Sequence, residues 1–364
     1  MMNPSLVCEI NREALRDNTA FVRRIVGQRR IIACVKGNAY GHGMLTAARE
    51  VLAAGADALA VARVGEVQQL RDAGFETPIL LIAAESLEAC DDLVRLDAEI
   101  FVESRERLEA ITSAAKRLGR RAKVHLAINS GMNRFDADER DARDIAEIIT
   151  NTPEIEWAGV MTHFAVADAD VDATREHWRK FDSLTADWAK AGIPRHAANS
   201  AGILTLSETH ADAVRPGLML YGMQPCTEHF SELRPVMTWK TSICAIHSVP
   251  KGVSVGYGGT FTAVRDTLVA TLPAGYGDGM HRSAGNRAFV LVRGKRCAII
   301  GRISMDQATI DVTDVPGVKN GDEIILIGRQ GDDEITASEW AQWCQTINYE
   351  ITTSITARVP RIET

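Results

Sequence analysis

The stretch Ile31–Ala62, IIACVKGNAYGHGMLTAAREVLAAGADALAVA, holds one whole repeat of the fold. It opens on an apolar run, Ile31–Val35, with no polar alternation, as expected of a strand covered on both faces. Lys36 ends the run, and a loop with three glycines, Tyr40 and His42 follows. MLTAAREVLAAG (44–55) then shows helical spacing and finishes at glycine, a usual helix stop. A second apolar run, DALAVA (57–62), completes a strand–helix–strand unit.

The same alternation recurs outward from there. RVGEVQQLRDAG (63–74) reads as a helix, and further apolar runs are PILLIA (78–83), EIFV (99–102), KVHLAIN (123–129), WAGVMTH (157–163), RHAAN (195–199) and AVRPG (213–217). Eight strand–helix alternations predict a (β/α)8 TIM-like barrel, an α/β fold whose later strands are short. After residue 233 the texture changes to β-rich runs such as TSICAIHSV, DTLVATLPAG and DEIILIG, broken by glycine, Asp-Gly and proline turns. The expected division is a barrel over 1–233 and a smaller, mostly β domain over 234–364, with roughly the first ten residues able to pair with the latter.

The composition suits two such domains: 364 residues, 46% hydrophobic and 24% charged. The net charge of -7 carries no basic block, which argues against nucleic acid as a partner. Seven scattered cysteines, with no CxxC pair, argue against a disulfide framework or a metal site and suit a reducing compartment. No apolar run reaches membrane-spanning length, and the amino terminus, MMNPSLVCEI, lacks the pattern of an export signal. The expected location is the cytoplasm.

Residues at the carboxyl ends of barrel strands face the site in folds of this type. Lys36 falls at such an end, where a partly desolvated amine loses its proton more readily and can act as a nucleophile or base. Position alone leaves open a surface lysine closing a strand. VKGNAYGHG (35–43), however, resembles the lysine motif of the alanine racemases, fold-type III enzymes that use pyridoxal 5′-phosphate (PLP). The resemblance runs in order along nearly the whole chain. It continues through VHLAINSGMNR (124–134), GVMTHFAVAD (159–168), HAANSAG (196–202), VRPGLMLYG (214–222) and VGYGGTFTA (255–263). LPAGYGDG (272–279), GRISMDQ (301–307), TINYEI (346–351) and the closing ARVPRI complete it.

The resemblance implies a role for each motif residue. Lys36 holds the cofactor aldehyde and serves one face of the substrate Cα; Tyr257 serves the other. A tyrosine in water titrates near about pH 10, so a base role requires positive charge nearby. Arg215 faces the pyridine nitrogen, His163 lies beside the ring, and His196 supports Arg215. Tyr40, Asn199, Ser200, the amides of Gly217 and Leu218, and Tyr349 bind the cofactor and its phosphate. Arg134 and the Met305 N–H take the substrate carboxylate, Asp306 organises that corner, and Tyr276 narrows the entrance. Without the resemblance, Tyr257 reads as a strand tyrosine, Arg215 as a loop salt-bridge residue, His163 as a structural hydrogen-bonder and Ser200 as a helix cap. The family also implies a homodimer in which Tyr257 and the Met305 loop serve the other subunit's site.

Two departures from the family pattern stand out. Many members carry a carbamylated lysine where this chain has Ala127, and Asp is frequent where it has Asn129. Arg134 must then be held otherwise, and a chloride near Asn129 and Arg134 is one expectation. GDGMHR (277–282) also differs at Met280 and His281, near the entrance. A broad-specificity racemase acting on larger or basic amino acids is therefore the alternative function. A PLP-dependent decarboxylase fits less well, because it calls for an acid where Arg215 stands. A non-catalytic PLP-binding barrel would lack Tyr257 and the β domain.

Overall fold

A computed structural model of the chain describes residues 5–226 and 229–364. These residues form two compact units. The first, residues 15–39 and 44–234, is a closed barrel of eight parallel strands. Its strands are Arg30–Cys34, Ala58–Val61, Ile79–Leu81, Glu99–Val102, Ala122–Ala127, Ile155–Met161, Arg195–His196 and Ala213–Val214. The last pairs with the first, Arg30 opposite Ala213 and Ile31 opposite Val214, and closes the ring. Each of the eight apolar runs therefore became a strand, and the final two are only two residues long.

The strands are apolar because both faces are covered, by side chains inside the ring and helices outside. Ala58–Val61 and Ile79–Leu81 are buried at every position. The helix Arg105–Leu118 shows the outer layer's logic. Ser104 caps it by accepting the Arg107 N–H at 3.2 Å, and Gly119 at φ 60° ends it. Leu108, Ile111, Ala114 and Ala115, at spacings of three and four, form its buried stripe. Each large apolar side chain so covered contributes roughly 1.5–3 kcal/mol.

The second unit comprises the described residues up to Ala14, Tyr40–Gly43, and Pro235–Thr364. Its main sheet runs in the order Lys295–Ala298, Phe289–Val292, Glu323–Gln330, Met237–Ser242, Val7–Ile10, Arg361–Glu363. Val7–Ile10 pairs antiparallel with Met237–Ser242 and parallel with Arg361–Glu363. Asp333–Ile335 pairs antiparallel with Glu323–Gln330 at the side of that sheet. A three-stranded sheet, Ala245–Val249, Thr267–Leu272 and Ala308–Asp311, and the short hairpin Ser254–Val255/Phe261–Thr262 complete the β structure. Trp340 anchors this unit's core: its ring lies 6.2 Å from that of Trp239 and its N–H donates to Leu326 O at 2.6 Å. Among the described residues no helix is long and apolar enough to cross a membrane.

Candidate active site

The residues singled out in the barrel unit all sit at or beyond the carboxyl ends of its strands. Lys36 is half-buried after Arg30–Cys34. The chain then passes through four consecutive left-handed residues: Gly37 at φ 62°, Asn38 at 53°, Ala39 at 56° and Tyr40 at 52°. That region costs an L-residue roughly 1–2 kcal/mol, so other groups must hold the turn. Glu66 does this. One of its oxygens accepts the Gly37 N–H at 2.7 Å, and the other accepts from Ala62 and Arg63 at 2.9 and 3.2 Å. Asn38 Oδ1 takes the Met44 N–H at 2.9 Å and so ties the turn to the helix Met44–Ala53. The direction in which Lys36 leaves its strand is thereby fixed.

Arg215 follows the last barrel strand and is 3% exposed. Its Nη1 donates to His196 Nδ1 at 2.7 Å and to His196 O at 2.8 Å. Its Nη2 donates to Thr162 O at 2.6 Å and Ala197 O at 3.1 Å, and lies 3.4 Å from His163 Nδ1. Among the described residues no group accepts from Nε. Burial lowers the Arg215 guanidinium to about 10, which leaves it charged at neutral pH. The terminal nitrogens are therefore committed to the protein, and one N–H of the fork remains for a ligand.

Burial and then the charge of Arg215 push His196 well below its ordinary 6.5. Burial, followed by Arg215, Arg134 and Lys36, pushes His163 down to about 3. Three cationic side chains thus converge on one neutral imidazole, an arrangement suited to an anionic ligand. A stability prediction follows. The unfolded chain binds a proton at His196 below about pH 6.5 that the folded chain refuses, so stability falls with falling pH, by about 1.4 kcal/mol per unit. His163 and His210 act in the same direction. Chemical denaturation at pH 5.5 should give a folding free energy at least about 1 kcal/mol lower than at pH 7.5; equal values would contradict the assignment.

Arg134 makes no ion pair or hydrogen bond among the described residues. Its guanidinium carbon lies 4.4 Å from the centre of the Phe135 ring. Phe135 in turn packs against the buried cluster of Phe101, Ala127 and Met161, its ring 5.0 Å from that of Phe101. Ala127 is thus surrounded by apolar side chains. Asn129, one of the two residues expected to hold an anion, spends its amide on its own loop. Oδ1 accepts from Gly131 and Asn133 at 3.0 and 3.1 Å, and Nδ2 donates to Asn133 Oδ1 at 2.8 Å.

Asn199 and Ser200 divide a task assigned to one residue. Asn199 caps the helix Ser200–Thr205 through the Gly202 N–H, whereas Ser200 Oγ accepts from Gly217 and Met219 at 2.9 and 3.3 Å. The helix-cap role belongs to Asn199. Ser200 instead binds together the two loops, after the seventh and eighth strands, that carry Gly217 and Leu218.

In the second unit the singled-out residues other than Tyr257 form two groups. Tyr40 and Tyr349 meet, ring centres 5.9 Å apart. Gly41 permits this approach: at φ 85°, a Cβ there would stand 2.0 Å from Thr352 O. Tyr276, Met305 and Asp306 share a corner in which Tyr276 N–H donates to Ser304 O and Gly277 N–H to Met305 O at 2.8 Å. Arg358 bridges that corner, Nη2 to Asp306 at 2.8 Å and Nε to Asp278 at 3.3 Å. Tyr257 stands in a turn between three left-handed glycines, 71% exposed and with no hydrogen-bond partner among the described residues.

Sequence reasoning found Arg215 as the partner of His196 but missed Glu66, Phe135, and the His125 and Glu99 that stand behind His196. Phe135 was visible as an aromatic directly after the arginine, and Glu99 as an acid opening a wholly apolar run.

Two family models cover the chain: "Alanine racemase, N-terminal domain" matches residues 10–225 and "Alanine racemase, C-terminal domain" residues 236–363. An alanine racemase of Desulforamulus reducens is 40% identical over 372 residues, covering 99% of each chain. Among solved structures, the alanine racemase from Streptomyces lavendulae superposes with a TM-score of 0.95 at 34% identity, covering 100% of this chain and 98% of that one. The Bacillus anthracis alanine racemase with bound L-Ala-P gives 0.92 at 32% identity, covering 100% and 96%.

Proposed function

Because the chain belongs to the alanine racemase family, we propose that it interconverts L-alanine and D-alanine, with PLP as cofactor and with Lys36 and Tyr257 as the two proton carriers. The observation that carries the cofactor assignment is Arg215, whose terminal nitrogens are saturated while its Nε–H has no acceptor among the described residues, beside the cationic Lys36 and Arg134. The donor set fits PLP. Lys36 would hold the aldehyde carbon, Arg215 Nε–H the ring nitrogen, and His163 the ring itself. Asn199, Ser200, Gly217, Leu218, Tyr40 and Tyr349 would hold the phosphate. When bound, the cofactor supplies a sink for the electron pair left as Cα loses its proton. Arginine does not surrender a proton, so Arg215 cannot fully protonate the ring nitrogen. Charge then stays near Cα, which favours returning the proton there over transamination.

Racemisation removes a proton from one face of Cα and delivers one to the other. Lys36 Nζ serves one face and Tyr257 Oη the opposite one. Arg134 and the Met305 N–H hold the substrate carboxylate, while Tyr276 and Asp306 shape the approach. In the single chain Tyr257, Met305 and Val264 are 71%, 53% and 79% exposed. A proton carrier open to water lacks the enclosed substrate that its chemistry needs. We therefore take the active species to be a homodimer in which Tyr257 and Met305 of each chain serve the barrel of the other.

We propose that Phe135 shares the work expected of a chloride beside Arg134, since a guanidinium over an aromatic face is stabilised by about 0.5–2 kcal/mol. Phe135→Leu is expected to raise KM for alanine about 3- to 30-fold while changing kcat less. Wild-type KM should be the same in chloride and gluconate salts. A KM that rises on chloride removal would return the role to a bound anion.

The activity test is incubation of the PLP-loaded protein in heavy water with L-alanine, L-serine, L-lysine and L-arginine, reading D-product and Cα deuterium. D-alanine far ahead of the others is expected. Equal or faster D-lysine and D-arginine would make the protein a broad-specificity racemase, and no exchange with any substrate would sink the proposal.

A further inference from the structure

Behind Arg215 a line of hydrogen bonds crosses the barrel interior. Arg215 Nη1 meets His196 Nδ1 at 2.7 Å, and His196 Nε2 meets His125 Nδ1 at 2.8 Å. His125 Nε2 meets Glu99 Oε2 at 3.0 Å, and Glu99 Oε1 receives Arg30 Nη2 at 3.2 Å. Arg30 and Glu99 open the first and fourth strands, His125 lies within the fifth, His196 closes the seventh and Arg215 follows the eighth. The line thus runs from the amino-terminal to the carboxyl-terminal strand ends. Glu99, His125, His196 and Arg215 are 6%, 1%, 1% and 3% exposed, so water cannot substitute for a missing partner.

We propose that Glu99 is a positioning residue for Arg215: acting through His125, it sets which nitrogen of His196 carries the proton and thereby how the guanidinium is held. The reasoning rests on direction. Arginine only donates, so His196 Nδ1 must accept, and the proton of the neutral ring sits on Nε2. That N–H donates to His125 Nδ1, which places the His125 proton on Nε2, facing Glu99. An ionised carboxylate only accepts, and Arg30 supplies its counter-charge. Groups of fixed polarity stand at both ends, so one arrangement satisfies all four contacts. With both tautomers reversed, an N–H of His196 would point at an N–H of Arg215, and the guanidinium would have to turn.

The barrel wall is built around this line. The pairing of Ala122–Ala127 with Ile155–Met161 shifts register between Val124 and His125, which brings Gly159 opposite His125. A Cβ at Gly159 would lie 2.6 Å from His125 Nδ1 and 2.9 Å from its Cε1. The bulge and the glycine together admit the ring. An apolar residue at 125 would fill an ordinary barrel layer and need neither.

The functional consequence rests on Arg215 facing the cofactor ring; the proton positions do not. The test labels the histidines of the full-length, PLP-loaded protein with 15N and reads their tautomers from two-bond proton–nitrogen spectra. In wild type both His125 and His196 are expected as the Nε2–H form. His196 found as Nδ1–H overturns the proposal before any variant is made. In Glu99→Ala both rings should lose their single tautomer and the absorption band of the bound cofactor should shift. Its kcat should fall about 10- to 100-fold, the scale for groups that orient a ligating residue, with KM changed less than about threefold. Glu99→Gln keeps an oxygen able to accept from His125 and should preserve the tautomers and most of the turnover. An alanine variant with His196 still wholly Nε2–H and an unshifted band reduces Glu99 to a structural group and overturns the proposal. Correct wild-type tautomers in a protein that racemises no amino acid would sink the functional reading alone.

Discussion

Lys36→Ala is expected to abolish racemisation in both directions, with a loss of at least about a thousandfold. Two losses combine in this variant. The amine that anchors the cofactor disappears, and so does the proton carrier on one face of the substrate. Alanine is well tolerated as a fold element here, because the turn after position 36 is held by Glu66 and Asn38 and not by the lysine side chain. The variant should therefore fold and bind PLP only reversibly. Borohydride reduction followed by peptide mass spectrometry should add the cofactor's mass to the wild-type segment containing Lys36 and to nothing in the variant. Retention of a tenth of wild-type turnover would remove Lys36 from the mechanism.

For Tyr257→Phe the expected loss is about a hundredfold or more, the scale of one general acid–base group, with the cofactor fully retained. The substitution deletes one hydroxyl from a side chain that is 71% exposed and hydrogen-bonded to nothing among the described residues, so stability should hardly change. The variant keeps its Lys36 face. One enantiomer of alanine should still exchange its α-proton with heavy water, and the other should not. Near-normal turnover, or symmetric loss of exchange, would exclude Tyr257 as the second proton carrier.

The two inactive variants together test the shared site. If Lys36 of one chain works with Tyr257 of the other, a mixed dimer of Lys36→Ala and Tyr257→Phe chains holds one intact site and one doubly defective site. Equal mixing makes half of the dimers mixed, so about a quarter of wild-type activity should return. A site built from one chain would return none.

Much of this was legible without coordinates, for reasons visible at particular residues. Strands covered on both faces must be apolar throughout, so PILLIA and EIFV declared themselves, and Leu108, Ile111, Ala114 and Ala115 marked a helix stripe. Lys36 was conspicuous as a charge ending such a run. The short strands Arg195–His196 and Ala213–Val214 carry too few residues for a period of their own, and it was the strand–helix alternation around them that marked them.

The barrel and the β-rich second unit were readable from the order of residues, because periodicity and composition are local properties written in successive residues; the residues proposed for the site came from the resemblance to the family. Tertiary structure alone decided the rest. It placed Tyr40–Gly43 with the second unit, against the helix Asn348–Ser354, where Gly41 leaves no room for a Cβ. It laid Arg134 on Phe135 and packed Phe101 and Met161 against Ala127. It also joined Glu99, His125, His196 and Arg215, residues from four separate strands or strand ends, in one line of hydrogen bonds. Hydrogen-bond direction and ring contact depend on distances of a few ångströms between residues far apart in the chain, and only closure of the barrel sets those distances.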